Sequence, residues 1–261
     1  MASSGLITID GSMSAARVSR INVTPVKSFR LCHPDGVRLA ADGAVDDRRF
    51  LLVDDGRRLY NGKRDTSLVR ASAAWDPEAR VLTMTLPGGE VVESEVARRE
   101  STVVEVYGRQ VRGHVVNGPF ADALSDLAGR SLALVEREDS AWATDSRPAT
   151  LVSEASLALI DGDGRRFRML LELDGLDALE EERWRDRRVR VGEVVLRVGE
   201  ATPRCAVPSA SPDTGVRDRD VLRELVERRG RVAGEVCLGV YAEVLEPGTV
   251  RVGDTVEEVS G

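Results

Sequence analysis

A chain of 261 residues can fill one large domain or two modest ones with an ample core. Its formal charge of −7, with basic residues interspersed among acidic ones, argues against nucleic acid as the main partner. No apolar run reaches membrane-spanning length, and three widely spaced cysteines make no disulfide framework, so the expectation is a soluble, reduced, cytoplasmic protein with no membrane partner.

Residues 1–16 carry no clear pattern and are expected to form a disordered extension. Alternation at Val18–Thr24 predicts a half-buried strand. Further strands are predicted at Phe50–Val53, Val81–Leu86, Glu90–Glu93, Thr102–Val106 and Val111–Val116. Pro87-Gly88-Gly89 reads as a hairpin turn between two of them. The texture changes at Asn117, a predicted N-cap for a helix over Phe120–Ala128 that Gly129 stops. Short helices are also predicted from Ser153 and over Arg219–Arg228, the latter ended by Gly230. Strands fill the remainder at Leu132–Val135, Phe167–Leu173, Val189–Val191, Val194–Val198, Val236–Val244 and Thr249–Val252. Many short strands at short spacing indicate a mainly β (α+β) protein built from barrels or sandwiches, with a few short helices.

Cys205 has the most unusual setting for chemistry. It follows Arg204 and lies between Pro203 and Pro208, a stiff, electropositive stretch that disfavours a core strand and favours a thiolate. Cys237 sits in an apolar alternating run and reads as core, and Cys32 as a loop thiol. Thr24–Arg30 closes the first strand with Lys27 and Ser28 side by side, which suits an anion. The pair Arg48-Arg49 precedes Phe50, and two extended neighbours must face opposite ways. Arg168 alternates with apolar positions, so an inward guanidinium there needs an anionic partner. There is no C-x-x-C, H-E-x-x-H, P-loop or G-x-S-x-G motif, and His114 reads as a satisfied strand histidine.

In order, Val23–Ser28, Asp47–Val53, Leu151–Leu157, Phe167-Arg168, Trp184, Arg204-Cys205, Ser211–Gly215 and Glu246–Asp254 resemble the MOSC family with its N-terminal β-barrel partner domain. The resemblance covers roughly residues 17–258 and implies a MOSC N-terminal β-barrel domain over 17–116 and a MOSC β-barrel domain over 117–258. It implies a molybdenum cofactor (Mo-molybdopterin), with Cys205 as metal ligand and catalytic centre. Lys27, Ser28 and Arg49 match cofactor-contacting positions, and Ser153, Arg168 and Arg204 lie on the same cofactor side. Where amidoxime-reducing relatives follow Phe-Arg with Pro-Asn, this chain has Met169-Leu170 and loses a side-chain donor. The expected activity is reduction of small N-hydroxylated compounds, with electrons from separate electron-transfer proteins because no iron–sulfur domain follows. A persulfide carrier using Cys205, and a non-catalytic cofactor-delivery protein, are the competing readings.

Overall fold

A computed structural model describes residues 15–138, 146–160 and 162–259. The extension expected at 1–16 lies outside the described residues except for its last two, and Ala16 is already buried in a core. The mainly β architecture is as expected: four sheets, with three short α-helices among the described residues.

The largest sheet has seven strands, in the order Arg17–Ile21, Leu171–Asp174, Ala149–Ser153, Cys237–Glu246, Val194–Pro203, Arg188–Val191, Val256–Val259. Its first strand therefore pairs with residues 150 or more positions later, antiparallel through Ile21 and Leu171. Alternating Val and Leu side chains from these strands build one core around Leu151, Leu171, Leu196 and Val240. A five-stranded sheet carries Phe50–Asp54 between Leu59–Tyr60 and Leu132–Arg137, followed by Arg109–Asn117 and Ala97–Val106. The meander Ser72–Asp76, Val81–Thr85, Val91–Glu95 packs against it, turning at Pro87-Gly88-Gly89 as expected. Together they enclose a second core containing Phe29, Phe50, Leu82 and Met84.

The helix Phe120–Ala128 buries Phe120 and Leu124 in that second core and ends at Gly129 in the left-handed conformation, φ 63°. Its N-cap is Pro119 rather than Asn117, because Asn117 is still the last paired residue of the preceding strand. The helix Val221–Arg229 is capped by the Asp220 carboxylate, which accepts from Arg223 N–H at 3.2 Å. No helix among the described residues is long and apolar enough to cross a membrane.

The segment after the first strand crosses from one core to the other, which places the site. Val26 bridges to Phe50, and Lys27 N–H donates to the Phe50 carbonyl at 2.9 Å. Residues 27 and 28 are thereby fixed where the two cores meet.

Candidate functional site

A single cleft gathers residues from both cores: Lys27, Ser28 and Arg48; Asn61–Lys63 with Tyr107; Arg165–Met169; and the run Thr202–Cys205 with part of the loop after it. Its empty volume, mouth included, is about 1100 Å³. Seven lining residues are cationic (Lys27, Arg48, Lys63, Arg165, Arg166, Arg168, Arg204) and none is acidic. A cleft with that balance attracts anions.

The backbone is bent to deliver these groups. Ser28 (φ 77°), Arg48 (φ 49°), Tyr107 (φ 51°) and Arg168 (φ 54°) all occupy the left-handed region and all line the cleft. Such conformations cost about 1 kcal/mol or more each and persist only where neighbours over-determine them. Gly62 N–H donates to Ser28 Oγ at 2.9 Å. Arg168 Nη2 donates to the Phe29 carbonyl at 2.8 Å, and its own carbonyl accepts from Arg48 Nη2 at 3.1 Å. The strand predicted through Phe167–Met169 is accordingly absent. Asp163 caps a one-turn 3₁₀ helix, Gly164–Arg166, the chain turns at Arg168, and the strand begins at Leu171.

Cys205 lies two residues past the end of the strand Val194–Pro203, whose last residue pairs with Cys237. Its side chain is exposed, while Cys237 is core and burial pushes that thiol's pKa up. Cys32 is half-buried, donates to the Ala73 carbonyl at 3.7 Å, and is pushed up by burial and then by Asp47. Arg204 turns inward: Nε and Nη2 donate to the Leu238 carbonyl at 3.1 and 2.7 Å, and Nη1 to the Phe167 carbonyl at 3.2 Å. Its Nη2 also reaches Met169 Sδ at 2.7 Å, so the unusual Met169 serves as an acceptor for Arg204 while Leu170 is buried in the first core. Thr202, 4% exposed, lines the same wall, and its Oγ1 has no partner among the described residues. Six other buried side-chain polar atoms share this condition among the described residues, so the hydroxyl by itself marks no ligand position.

The loop Ser211–Gly215 and the residues after it are tied down by ion pairs. Arg165 bridges Asp163 and Asp213, with Nη1 to Asp213 at 2.8 Å, and its hydrogen bond lowers the Asp213 pKa. Arg166 forks onto both Asp218 oxygens at 2.9 Å. The tip of this loop rests on the 3₁₀ helix Thr66–Arg70, where a Cβ on Gly215 (φ 72°) would meet the Thr66 carbonyl oxygen at 2.5 Å. Gly215→Ala is therefore expected to lower stability by about 1–2 kcal/mol and to loosen the cleft, through strain and backbone contact together. Denaturant unfolding and proteolysis near residue 215 check this.

Five of the sequence-predicted residues line this cleft: Lys27, Ser28, Arg168, Arg204 and Cys205. Two do not. Arg49 turns away, donating from Nε to Glu136 Oε1 at 2.9 Å and from Nη1 to Asp46 at 2.7 Å, with its guanidinium 5.3 Å from the Trp75 ring. Arg48 is the one beside the cleft, ion-paired with Asp47. Ser153 is buried as the N-cap of the helix Glu154–Ala158, accepting from Ser156 N–H at 3.0 Å. Sequence reasoning missed Asn61, Lys63, Tyr107 and Thr202. His114 is satisfied on its strand, 2.7 Å from Glu138.

Among the described residues no three His, Cys, Asp or Glu side chains cluster as a metal site. A metal here would have to bring most of its own donors, with Cys205 adding a single sulfur.

Residues 15–131 match the family model of the MOSC N-terminal beta barrel domain and residues 132–257 that of the MOSC domain. The mouse mitochondrial amidoxime-reducing component 1 is 31% identical, over 92% of this chain and 81% of its own length. The bovine mitochondrial amidoxime reducing component 2 is 23% identical over 93% of this chain and 83% of its own. Bovine molybdenum cofactor sulfurase is 22% identical over 89% of this chain, which spans 30% of that longer protein. With both domain models matched in succession and a relative above 30% identity over 92% of this chain, the chain belongs to the MOSC family, as an N-terminal β-barrel domain followed by a MOSC domain.

Proposed function

We propose that this chain holds a molybdenum cofactor in the cationic cleft and acts as an oxidoreductase on small N-hydroxylated compounds, with electrons from separate proteins. The observation that carries the reading is one exposed thiol, Cys205, at a cleft lined by seven cations and no acid. The family relationship supports it, since its relatives include amidoxime-reducing components and a molybdenum cofactor sulfurase.

The residues fit such a group. It is an anion carrying a phosphate, and the cleft gives it Lys27, Arg168 and Arg204, the hydroxyl of Ser28, and one sulfur donor. Bound there, the group supplies two-electron redox chemistry at its metal. The chain's own part is to hold and orient. Arg168 and Arg204 are already fixed by backbone carbonyls, so little side-chain entropy is lost when an anion binds. Arg48 supports Arg168 through its carbonyl rather than facing the ligand alone. Cys205 lies two residues past a ten-residue strand, next to Arg204, whose guanidinium is tied to the Leu238 and Phe167 carbonyls.

Protein made in a host that synthesises the cofactor should turn over benzamidoxime with a chemical reductant. The same protein from a cofactor-deficient host should not. Equal activity, or none, in both preparations would refute the reading.

Exposure of Cys205 also favours a second reading, a persulfide carrier, because a sulfur donor protein can reach the thiol. Mass spectrometry after incubation with a cysteine desulfurase and cysteine separates the two: one sulfur added at Cys205 supports the carrier, and an unmodified thiol argues against it. A delivery protein would instead release bound cofactor to an acceptor and turn nothing over.

A further inference from the structure

We propose that Lys63, Tyr107 and Asn61 form the substrate-recognition end of the cleft and select N-hydroxylated compounds that carry a carboxylate. The inference rests on the reading of the cleft as a reductase site and adds the substrate class.

Much of the cationic charge on the lining is already committed. Arg48, Arg165 and Arg166 are each ion-paired, with Asp47, with Asp163 and Asp213, and with Asp218. The proposed function assigns Lys27, Arg168 and Arg204 to the cofactor. Lys63 remains, and no carboxylate pairs with it among the described residues. Its Nζ instead lies 4.0 Å from the centroid of the Tyr107 ring. A cation over an aromatic face keeps most of its charge available to an incoming anion.

The ring is held for that purpose. Tyr107 occupies the left-handed region at the tip of the hairpin between Ala97–Val106 and Arg109–Asn117. Asn61, buried at 4% exposure, donates from Nδ2 to the Tyr107 hydroxyl, and its Oδ1 accepts from Lys63 N–H at 3.0 Å. One buried amide thus fixes both the aromatic platform and the backbone that carries the lysine. Both groups line the same cleft as Cys205, and Tyr107 is 43% exposed, open to a flat substrate. With no acidic group on the lining, a cationic substrate gains nothing there, whereas a carboxylate gains a charged partner.

The test compares 4-carboxybenzamidoxime with benzamidoxime, by calorimetric binding to the protein as purified and by KM. The carboxylate compound is expected to bind about three- to tenfold more tightly, the range of a partly solvated ion pair, with the margin shrinking at high salt. Lys63→Met should abolish the margin and Lys63→Glu should reverse it. Lys63 is exposed, so neither change should disturb folding. Equal binding of the two compounds, or a margin that survives in Lys63→Met, overturns the proposal. Turnover of both compounds with equal KM would leave the reductase reading intact and remove this one. A Lys63-dependent margin in binding without any turnover would uphold the carboxylate site and remove the reductase reading.

Discussion

Cys205→Ala is expected to cut turnover of N-hydroxylated compounds by ~10³-fold or more while leaving the fold intact. The loss should exceed the roughly 10–100-fold that follows removal of a group that only orients a ligand, because under the proposed function the sulfur itself is the donor. Cys205 is exposed and belongs to none of the hydrophobic clusters, so its unfolding free energy should move by less than about 0.5 kcal/mol. Steady-state kinetics beside a denaturant melt of the same preparation make the check. Equal losses of activity and stability would mean that the residue is structural.

Glu136→Gln should produce the largest loss of stability, about 3 kcal/mol or more. This carboxylate is fully buried on the strand Leu132–Arg137 and accepts from three arginines: Arg49 at 2.9 Å, Arg80 at 2.9 Å and Arg98 at 2.8 Å. Burial alone would raise its pKa, but the hydrogen bonds from Arg98, Arg80 and Arg49 override it and hold the group at about 2. The folded value lies below the unfolded one, so the stabilisation is fully present above the ordinary carboxylate pKa and is lost as pH falls through 2. Its full size is on the order of 3 kcal/mol, of which about 2 kcal/mol should be gone by pH 3. Urea unfolding at pH 7 and pH 3 should show the wild type losing about that much more than Glu136→Gln. The effect reaches the cleft, because the neighbouring Arg137 donates from Nε to the Arg48 carbonyl at 2.9 Å and from Nη2 to that of Asp47 at 3.1 Å. Arg49 is therefore better described as anchoring the segment that presents Arg48.

The contrast between Arg48 and Arg49 shows where sequence reading stops. Strand parity assigns the two to opposite faces only if both are extended, and Arg48 at φ 49° is not. Arg168 evaded the strand pattern in the same way, since its periodicity is that of a strand while its backbone is that of a turn. By contrast, the setting of Cys205 was legible, because proline and arginine neighbours are local facts that tertiary contacts do not erase. Strand and helix positions were largely legible for the same reason, from alternation and glycine stops. Asn61 and Tyr107 were not, since they meet only through the pairing of distant strands. One signal was available for Lys63: in a chain rich in arginine, it and Lys27 are the two lysines, and both line the cleft.

The central claim is a molybdenum cofactor held by Cys205, and metal analysis tests it most directly. Wild type and Cys205→Ala, purified side by side from a cofactor-competent host, are compared by inductively coupled plasma mass spectrometry. The expected result is near-stoichiometric molybdenum in the wild type and a large deficit in the variant. No molybdenum in the wild type, or equal loading of both, would contradict the account.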